Sequence, residues 1–201
     1  MVKTLLNEVK EYKKDTILSP VYVSIEAILE VFIPFLMAIL VDNGIEKGDM
    51  KSIWFYGFLM LVAAFVSLWA GAKSGKHAAI ASSGFAKNLR KAEYRNIQNF
   101  SFSNIDAYST SGLITRMMTD VTNIQNAYQM IIRICVRAPL MLIASLIMAF
   151  IINKEMALIF VAAVLVLGVV LFGIIFIVSP IFSRLFSRYD FLNASIQENV
   201  L

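Results

Sequence analysis

The stretch that decides the fold is NFSFSNIDAYSTSGLITRMMTD, residues 99–120, a polar turn between two long helical segments. No proline interrupts residues 52–98, and about 47 helical residues reach roughly 70 Å, against a hydrocarbon core of roughly 30 Å. The return segment, residues 112–152, contains a single proline and reaches about 60 Å. Both helices therefore extend well beyond a membrane, and the turn lies far from the bilayer.

Two apolar stripes at helical spacing flank this turn. The first consists of Ala81, Phe85, Leu89 and Ala92, and the second of Leu113, Met117, Val121, Ile124, Tyr128 and Ile131. We expect the stripes to pack on each other or on a partner. Side-chain oxygens at residues 109–111 favour a helix cap before Gly112, and Asn104 and Asp106 favour a turn at the tip.

The composition indicates an integral membrane protein of all-α class. Hydrophobic residues make up 59% of the chain, mean hydropathy is +0.73, and the apolar residues occur in runs. Each run is near the roughly 20 residues that a membrane crossing needs. The predicted spans are residues 17–41, 53–72, about 131–152, and 156–179.

The distribution of basic residues predicts the orientation of the spans. Lysine and arginine are concentrated in residues 1–14, 73–130 and 181–201, whereas only Lys47, Lys51 and Lys154 lie on the opposite side. An excess of Lys and Arg marks cytoplasmic loops. We therefore expect both ends and the 99–120 turn in the cytoplasm of a multi-pass cell-membrane protein. The net charge of +4 reflects this bias, and no basic patch interleaved with aromatic residues points to nucleic acid.

Several candidate chemical sites are rejected on the residues. The stretch GAKSGKHAAIASSG, residues 71–84, superficially matches a phosphate-binding loop, but its spacing is short and His77 replaces the required Ser or Thr. His77 is the only histidine, and Cys135 is the only cysteine, so the sequence predicts no metal centre and no intrachain disulfide. No acid–base constellation is evident, and we predict no catalytic residue and no cofactor in this chain.

The first residues admit two interpretations. Apolar residues recur at helical spacing within residues 1–14 among four lysines, which is typical of an elbow helix lying in the headgroup region. A charged tail that only follows the orientation rule explains the same pattern.

Four charged residues near or within the spans are candidates for a solute pathway. Glu26 and Glu30 lie one turn apart on one face of the first span, where a carboxylate must face protein or water. They indicate a water-filled pathway for polar or cationic solute, or else carboxylates that are protonated or paired with a neighbouring helix. Arg133 and Arg137, one turn apart in the third span near its inner boundary, either extend to phosphate headgroups or belong to the same pathway.

The motifs of this chain resemble those of a known family. PFLMAILVDNGI in the first span, and RKAEYRNIQNFSFSNIDAYSTSGLITRMMTDVTNIQ followed by RICVRAPL, resemble the transmembrane domain of ATP-binding cassette (ABC) exporters of the multidrug and lipid type. The resemblance covers the whole chain. Its strongest part is a phenylalanine-containing turn, a small residue and the pattern L-x-x-R-x-x-x-D-x-x-x-I, carried by Phe102, Gly112, Leu113, Arg116, Asp120 and Ile124.

The resemblance implies a fold and partners that the residues alone do not give. Family subunits have six long helices, so this chain would hold the first four and stop before the remaining two and the nucleotide-binding domain. ATP and Mg²⁺ would bind the full-length protein, which would work as a homodimer or heterodimer and export drug-like or lipid substrates. The first coupling helix, which contacts the nucleotide-binding domain, would consist of Phe102, Ser103, Asn104, Ile105, Asp106, Ala107 and Tyr108.

A different class of function also accommodates the four spans. A self-contained membrane scaffold or assembly protein with no transport cycle would share their length and composition. Two further spans and a phosphate loop encoded beyond residue 201 would favour the exporter, and a stop codon there would favour the scaffold.

Overall fold

The computed structural model describes residues 2–100 and 110–200, and in those ranges it is helical with no strand. The chain divides into two compact units, Met1–Met148 and Ala149–Leu201, each described on its own. The α-helices are α1 (Val2–Asn7), α2 (Lys13–Leu40), α3 (Met50–Gln98), α4 (Thr110–Thr115), α5 (Val121–Ile152) and α6 (Lys154–Val200). One 3₁₀ turn, Lys10–Tyr12, and two π-helical turns, Val41–Ile45 and Arg116–Asp120, connect or extend them.

Four helical segments of the described chain are long and apolar enough to cross a membrane. They are Lys10–Ile45, Met50–Gln98, Gly112–Ile152 and Lys154–Phe182. Helix α3 runs for 49 residues without a break, because no proline removes a backbone donor along it. At 1.5 Å per residue it reaches roughly 70 Å. The prediction of an all-α membrane fold with helices longer than a bilayer is therefore confirmed.

Helices α2 and α3 pack closely through small side chains. The buried residues of α3 along this contact recur every three or four positions: Ala63, Ser67, Ala70, Ser74, Ala78, Ala81. The Ser74 hydroxyl donates to the backbone oxygen of Ser19 on α2 at 3.1 Å. Small residues let helix backbones approach each other in a membrane, where apolar surface alone gives little drive for association. The packing of α2 on α3 fixes the position of the charged residues of α2.

A second contact joins α3, α5 and the N-terminal segment. Its buried residues are Val9, Ala78, Ala81, Phe85, Ala86, Leu89, Val121, Tyr128, Ile132. The rings of Phe85 and Tyr128 stack with centroids 4.6 Å apart. The two predicted stripes thus meet each other. Ile131, expected on the second stripe, is 57% exposed, and Ile132 takes its place because a four-residue step from Tyr128 stays closer to the buried face.

The N-terminal segment is packed on α3 rather than being one straight helix. Helix α1 ends at Asn7, and Lys10, the first residue of the 3₁₀ turn, has a positive φ of 39°. Val9 is buried in the cluster, and the Asn88 side chain donates to the Glu8 backbone oxygen at 3.0 Å. The predicted elbow segment, about residues 1–14, thus consists of α1, the 3₁₀ turn and the first residues of α2, and the chain turns between them.

The link between α2 and α3 is short and capped. After the Val41–Ile45 turn, Gly48 adopts a φ of 67°, a left-handed conformation that glycine takes without steric cost. Asp49 then begins α3 by accepting from the Lys51 backbone at 3.1 Å and from the Ser52 hydroxyl at 2.7 Å. The hydrogen bond from Ser52 holds the pKa of Asp49 below its ordinary value.

In the second unit, α6 begins at a side-chain cap and continues as an apolar helix. The Asn153 side-chain oxygen accepts from the backbone nitrogens of Glu155 at 2.9 Å and Met156 at 3.2 Å. Large apolar side chains such as Phe172 and Phe176 are exposed along it. An extensive apolar surface of this kind fits contact with lipid or with further membrane helices.

Candidate functional site

A charged cluster joins α2 to α5 inside the apolar part of the molecule. The Arg137 guanidinium on α5 donates from Nη1 to Glu26 Oε1 at 3.0 Å. Its Nη2 donates to both oxygens of Glu30, at 2.7 and 2.6 Å. The two carboxylates reach the same guanidinium because they are one helical turn apart on α2. We call Glu26, Glu30 and Arg137 the charge cluster.

Glycine on α3 makes room for this cluster. A Cβ atom added to Gly71 would lie 2.8 Å from Glu26 Oε1 and 2.9 Å from Glu26 Cδ, closer than nonbonded atoms approach. One turn further along, a Cβ on Gly75 would lie 3.8 Å from Nη1 of Arg133. Three helices therefore converge here: α2 supplies the carboxylates, α5 the guanidinium groups, and α3 the space.

Two charged side chains in or beside the charge cluster have an atom or group without a hydrogen-bond partner among the described residues. Glu26 is only 9% exposed, and its Oε2 atom is buried without a hydrogen-bond partner among the described residues. Arg133, one turn before Arg137 on α5, makes no hydrogen bond or ion pair with the described part of the chain. Two carboxylates and two guanidinium groups thus share this region, and only Arg137 is paired with acids.

Two open cavities adjoin the four charged residues. One of about 550 Å³ is lined by Glu26, Glu30 and Arg133 together with small and apolar residues that include Ser67 and Leu68. The other, of about 530 Å³, is lined by Arg133 and Arg137 together with Asn126, Gln129, Met130 and Ile134. Volumes of this size accommodate small molecules. The arrangement provides acceptors and donors for a charged ligand in apolar surroundings.

Comparison with known proteins places this architecture in a family. The family model described as the ABC transporter transmembrane region matches residues 16–200. The chain belongs to the ABC transporter transmembrane family. The match extends over nearly all of the described helices.

Relatives of this ABC transporter domain are found in several bacteria. The chain is 31% identical to the uncharacterized ABC transporter ATP-binding protein YfiB of Bacillus subtilis over 88% of its own length. It is 26% identical over its whole length to the uncharacterized ABC transporter ATP-binding proteins Mb1304c of Mycobacterium bovis and Rv1273c of Mycobacterium tuberculosis. The chain spans only 31% of the first relative and 34% of the other two.

The predicted site residues of this ABC transporter domain fall into two groups. Glu26, Glu30 and Arg137 are brought together directly, and Arg133 lines both neighbouring cavities. Arg137 is directed to the two carboxylates rather than extended away from them. The predicted coupling helix, residues 102–108, lies outside the described residues.

The two helices that lead into residues 102–108 are joined to each other. Arg90 of α3 donates from Nε to the Met117 backbone oxygen at 3.3 Å and from Nη2 to the Thr122 hydroxyl at 3.1 Å. Met117 lies in the Arg116–Asp120 π-helical turn, a local irregularity that exposes a backbone acceptor. These hydrogen bonds join α3 to the π-helical turn and to the start of α5.

A second polar pair was not predicted from the sequence. His77 Nδ1 lies 2.6 Å from Asp15 Oδ1, and the His77 ring stacks on Tyr22 with centroids 5.6 Å apart. Asp15 and His77 are 62 positions apart in sequence, so no local sequence pattern predicts that they pair. The described residues contain no group of three His, Cys, Asp or Glu side chains placed to hold a metal ion.

Proposed function

We propose that this chain is the membrane-spanning part of an ATP-driven exporter of the multidrug or lipid type. In this proposal, Glu26, Glu30, Arg133 and Arg137 lie on the pathway of the solute. ATP and Mg²⁺ bind a nucleotide-binding domain and not this chain. The names of the Bacillus and mycobacterial relatives, which are ATP-binding proteins about three times as long as this chain, support that division.

The observation that carries the proposal is the charge cluster beside an open cavity. Ionisable residues in a membrane span are costly, and they most often mark a path for solute or ions. Here Glu26, Glu30 and Arg133 line a cavity of about 550 Å³, and Arg133 has no hydrogen-bond partner among the described residues. These charged residues therefore border a space in which a solute can meet them.

Mechanical coupling follows from the two long helices. Because α3 is continuous and Arg90 ties it to α5, a displacement at the 99–120 turn is transmitted toward the charge cluster as movement of a stiff pair. The nucleotide-binding domain would contact the coupling helix, residues 102–108, and ATP binding and hydrolysis would supply its two states.

The proposal includes a dimer in the cell membrane, with the N-terminus in the cytoplasm. The concentration of Lys and Arg in residues 1–14, 73–130 and 181–201 supports that orientation. The exposed apolar side chains of α3 and α6 leave surface for lipid, for further helices and for a second subunit, identical to this one or different from it.

Crosslinking tests the coupling part of this proposal. With a cysteine at Ile105 and the exposed native Cys135 replaced by serine, we expect a disulfide to a cysteine on the surface of the nucleotide-binding domain. ATP should change the yield, since the contact moves with the nucleotide state. A matched cysteine at Lys47, on the predicted opposite side of the membrane, should give no such product. Failure at every position from 102 to 108 would contradict the assignment.

A further inference from the structure

A third cavity, of about 390 Å³, lies between the N-terminal segment and the part of α3 beyond its predicted span. Besides Ala92, its lining consists of charged and amide side chains: Glu8, Lys10, Glu11, Asn88, Lys91, Arg95. None of these residues belongs to the charge cluster or to the two cavities beside it. The cavity is therefore a separate polar site, and its volume is in the range of small-molecule pockets.

The wall formed by the N-terminal segment is held in place by its own contacts. Asn88 of α3 is only 7% exposed, and its Nδ2 donates to the Glu8 backbone oxygen at 3.0 Å and to Glu11 Oε2 at 3.3 Å. Lys10 Nζ donates to Glu8 Oε2 at 2.6 Å. Within residues 2–100 and 110–200, Lys10 is the one non-glycine residue with a positive φ, a conformation that persists only where the surrounding structure fixes it. This side of the cavity is thus preorganised.

The wall formed by α3 presents two cations without an anion. Lys91 and Arg95 are exposed, and neither side chain makes a hydrogen bond or an ion pair with the described part of the chain. They are four residues apart, so they lie on one helix face about 6 Å apart along the axis. Like charges at this spacing repel each other. An anion that contacts both side chains removes that repulsion.

The charges around the cavity match a dianion. The pair of Lys10 and Glu8 is neutral, and Lys87, one turn before Lys91, acts electrostatically on Glu11. The two cations on the α3 wall then remain as an excess of two positive charges. A phosphomonoester carries a charge of about −1.5 to −2 at pH 7 and three strong acceptor oxygens. Its charge balances the excess, and its oxygens accept from an ammonium and a guanidinium group at once.

The remaining lining selects the molecule to which the phosphate is attached. The carboxylates of Glu8 and Glu11 are hydrogen-bond acceptors, and the donors that fit them are hydroxyl groups. Ala92 is the only apolar residue of this lining among the described residues, so the wall offers little surface for an acyl chain or a nucleobase. A carbon chain or ring with several hydroxyl groups suits it better.

The position of the cavity along α3 favours a soluble ligand over a lipid. Lys91 lies 19 residues beyond Ala72, the end of the predicted second span, which is about 28 Å at 1.5 Å per residue. The headgroup layer extends only about 5–8 Å from the hydrocarbon core. A phospholipid would have to leave its layer to place its phosphate here.

We propose that this cavity binds a small soluble phosphomonoester of a polyol, of which a sugar phosphate is an example. The phosphate accepts from Lys91 and Arg95, and the hydroxyl groups donate to the carboxylates of Glu8 and Glu11. Because the two walls belong to different segments, the ligand joins the N-terminal segment to α3. This inference goes beyond the proposed function, since it concerns neither the solute pathway nor the site of ATP.

Calorimetry on the full-length protein in a nonionic detergent tests the inference with three probes. Glucose 6-phosphate carries both kinds of group, phenyl phosphate keeps only the phosphate, and glucose keeps only the hydroxyl groups. We expect glucose 6-phosphate to bind about tenfold more tightly than phenyl phosphate, because hydrogen bonds to charged acceptors are lost, and glucose to show no binding. Equal affinity for either analogue, or no binding of glucose 6-phosphate, would overturn the proposal.

Variants of the α3 wall locate the bound phosphate. Lys91→Gln and Arg95→Gln should each weaken the binding of glucose 6-phosphate about tenfold, because each removes one charge-assisted hydrogen bond. Lys76→Gln makes the same change of charge on the same helix outside the cavity, so it serves as the matched control and should bind like the parent. Melting curves establish that the variants are folded, and the three probes on the parent decide the question if one is not. Unchanged binding in both folded wall variants would overturn the site.

Vesicles distinguish a soluble ligand from a lipid headgroup. Glucose 6-phosphate would be titrated into the protein in vesicles of phosphatidylcholine alone and of phosphatidylcholine with phosphatidic acid, whose headgroup is a phosphomonoester. We expect the same affinity in both, because the cavity lies beyond the headgroup layer. Loss of glucose 6-phosphate binding in the vesicles with phosphatidic acid would show that the lipid occupies the site, and this result would overturn the proposal of a soluble ligand.

Discussion

Replacing Arg137 with glutamine should destabilise the protein more than any other single substitution in the charge cluster. The change removes the donor to Glu26 Oε1 and to both oxygens of Glu30, so two carboxylates remain in apolar surroundings. Breaking a buried ion pair from one side costs about 3–5 kcal/mol. The lower part of that range is expected, because the Arg137 side chain is 31% exposed.

Thermal unfolding in detergent measures this effect, and Arg133→Gln is the matched control. Arg133 is the same residue type on the same helix, one turn away, but it has no partner among the described residues. We expect its substitution to change stability by less than about 1 kcal/mol. Equal melting temperatures for the Arg137→Gln and Arg133→Gln variants would show that the ion pairs do not stabilise the fold.

The triple variant Glu26→Gln, Glu30→Gln and Arg137→Gln should recover most of the lost stability. Neutral amides can hydrogen-bond to one another, and no charge is left unpaired in the cluster. Removing both partners of a buried ion pair costs less than removing one, because no uncompensated buried charge is left. A triple variant as unstable as Arg137→Gln alone would contradict this explanation.

Gly71→Ala is the second substitution for which we expect a large effect. The new methyl carbon would lie 2.8 Å from Glu26 Oε1, an atom that is held at 3.0 Å from Arg137 Nη1. Either the carboxylate leaves its guanidinium or α2 and α3 separate. Overpacking of this kind typically costs about 1–3 kcal/mol.

Gly57→Ala provides the comparison on the same helix. A Cβ atom at Gly57 would have no neighbour within 4 Å among the described residues, so alanine there should be neutral or stabilising by up to about 1 kcal/mol through its helix propensity. Melting of the two variants side by side separates the steric effect from propensity. In a Glu26→Ala background, Gly71→Ala should cost less stability than in the parent, because the carboxylate that the new methyl group would meet is absent. Equal shifts for Gly71→Ala and Gly57→Ala would refute the proposed close contact.

The sequence predicted the long helices because their causes are local. The lack of proline between residues 52 and 98 is visible in one pass, and α3 is unbroken from Met50 to Gln98. The facing stripes with Phe85 and Tyr128 also follow from helical spacing, and these residues stack in the structure. Pattern reasoning is strongest where one helix face repeats over several turns.

The sequence did not show which arginine pairs with the two glutamates, because the pairing depends on how the helices are rotated relative to each other. Glu26 and Glu30 were predicted to share a face, and Arg133 and Arg137 to share another. Spacing alone did not show that Arg137 meets both acids while Arg133 stays beside the cavity. Gly71 decides the approach of α3, and a single glycine in a stretch rich in small residues gives a weak signal.

Val9 and Ile132 show the same limit on a smaller scale. The apolar spacing of residues 1–14 is typical of a helix, but α1 ends at Asn7, Val9 is buried in the cluster on α3, and the chain turns at Lys10 with a positive φ. A helix of 3.6 residues per turn allows either Ile131 or Ile132 to follow Tyr128 on the buried face, and the structure buries Ile132. Tertiary contact, not local pattern, selects between such alternatives.

The central claim, that the charge cluster serves the solute pathway of an ATP-driven exporter, is tested most directly by transport. The full-length exporter and its triple glutamine variant would each be reconstituted in vesicles, after melting has established that both are folded. Uptake of one charged and one neutral compound would then be measured with and without ATP. We predict ATP-dependent uptake of both compounds by the parent and selective loss of the charged compound in the variant. A folded variant that transports both compounds like the parent would contradict the claim.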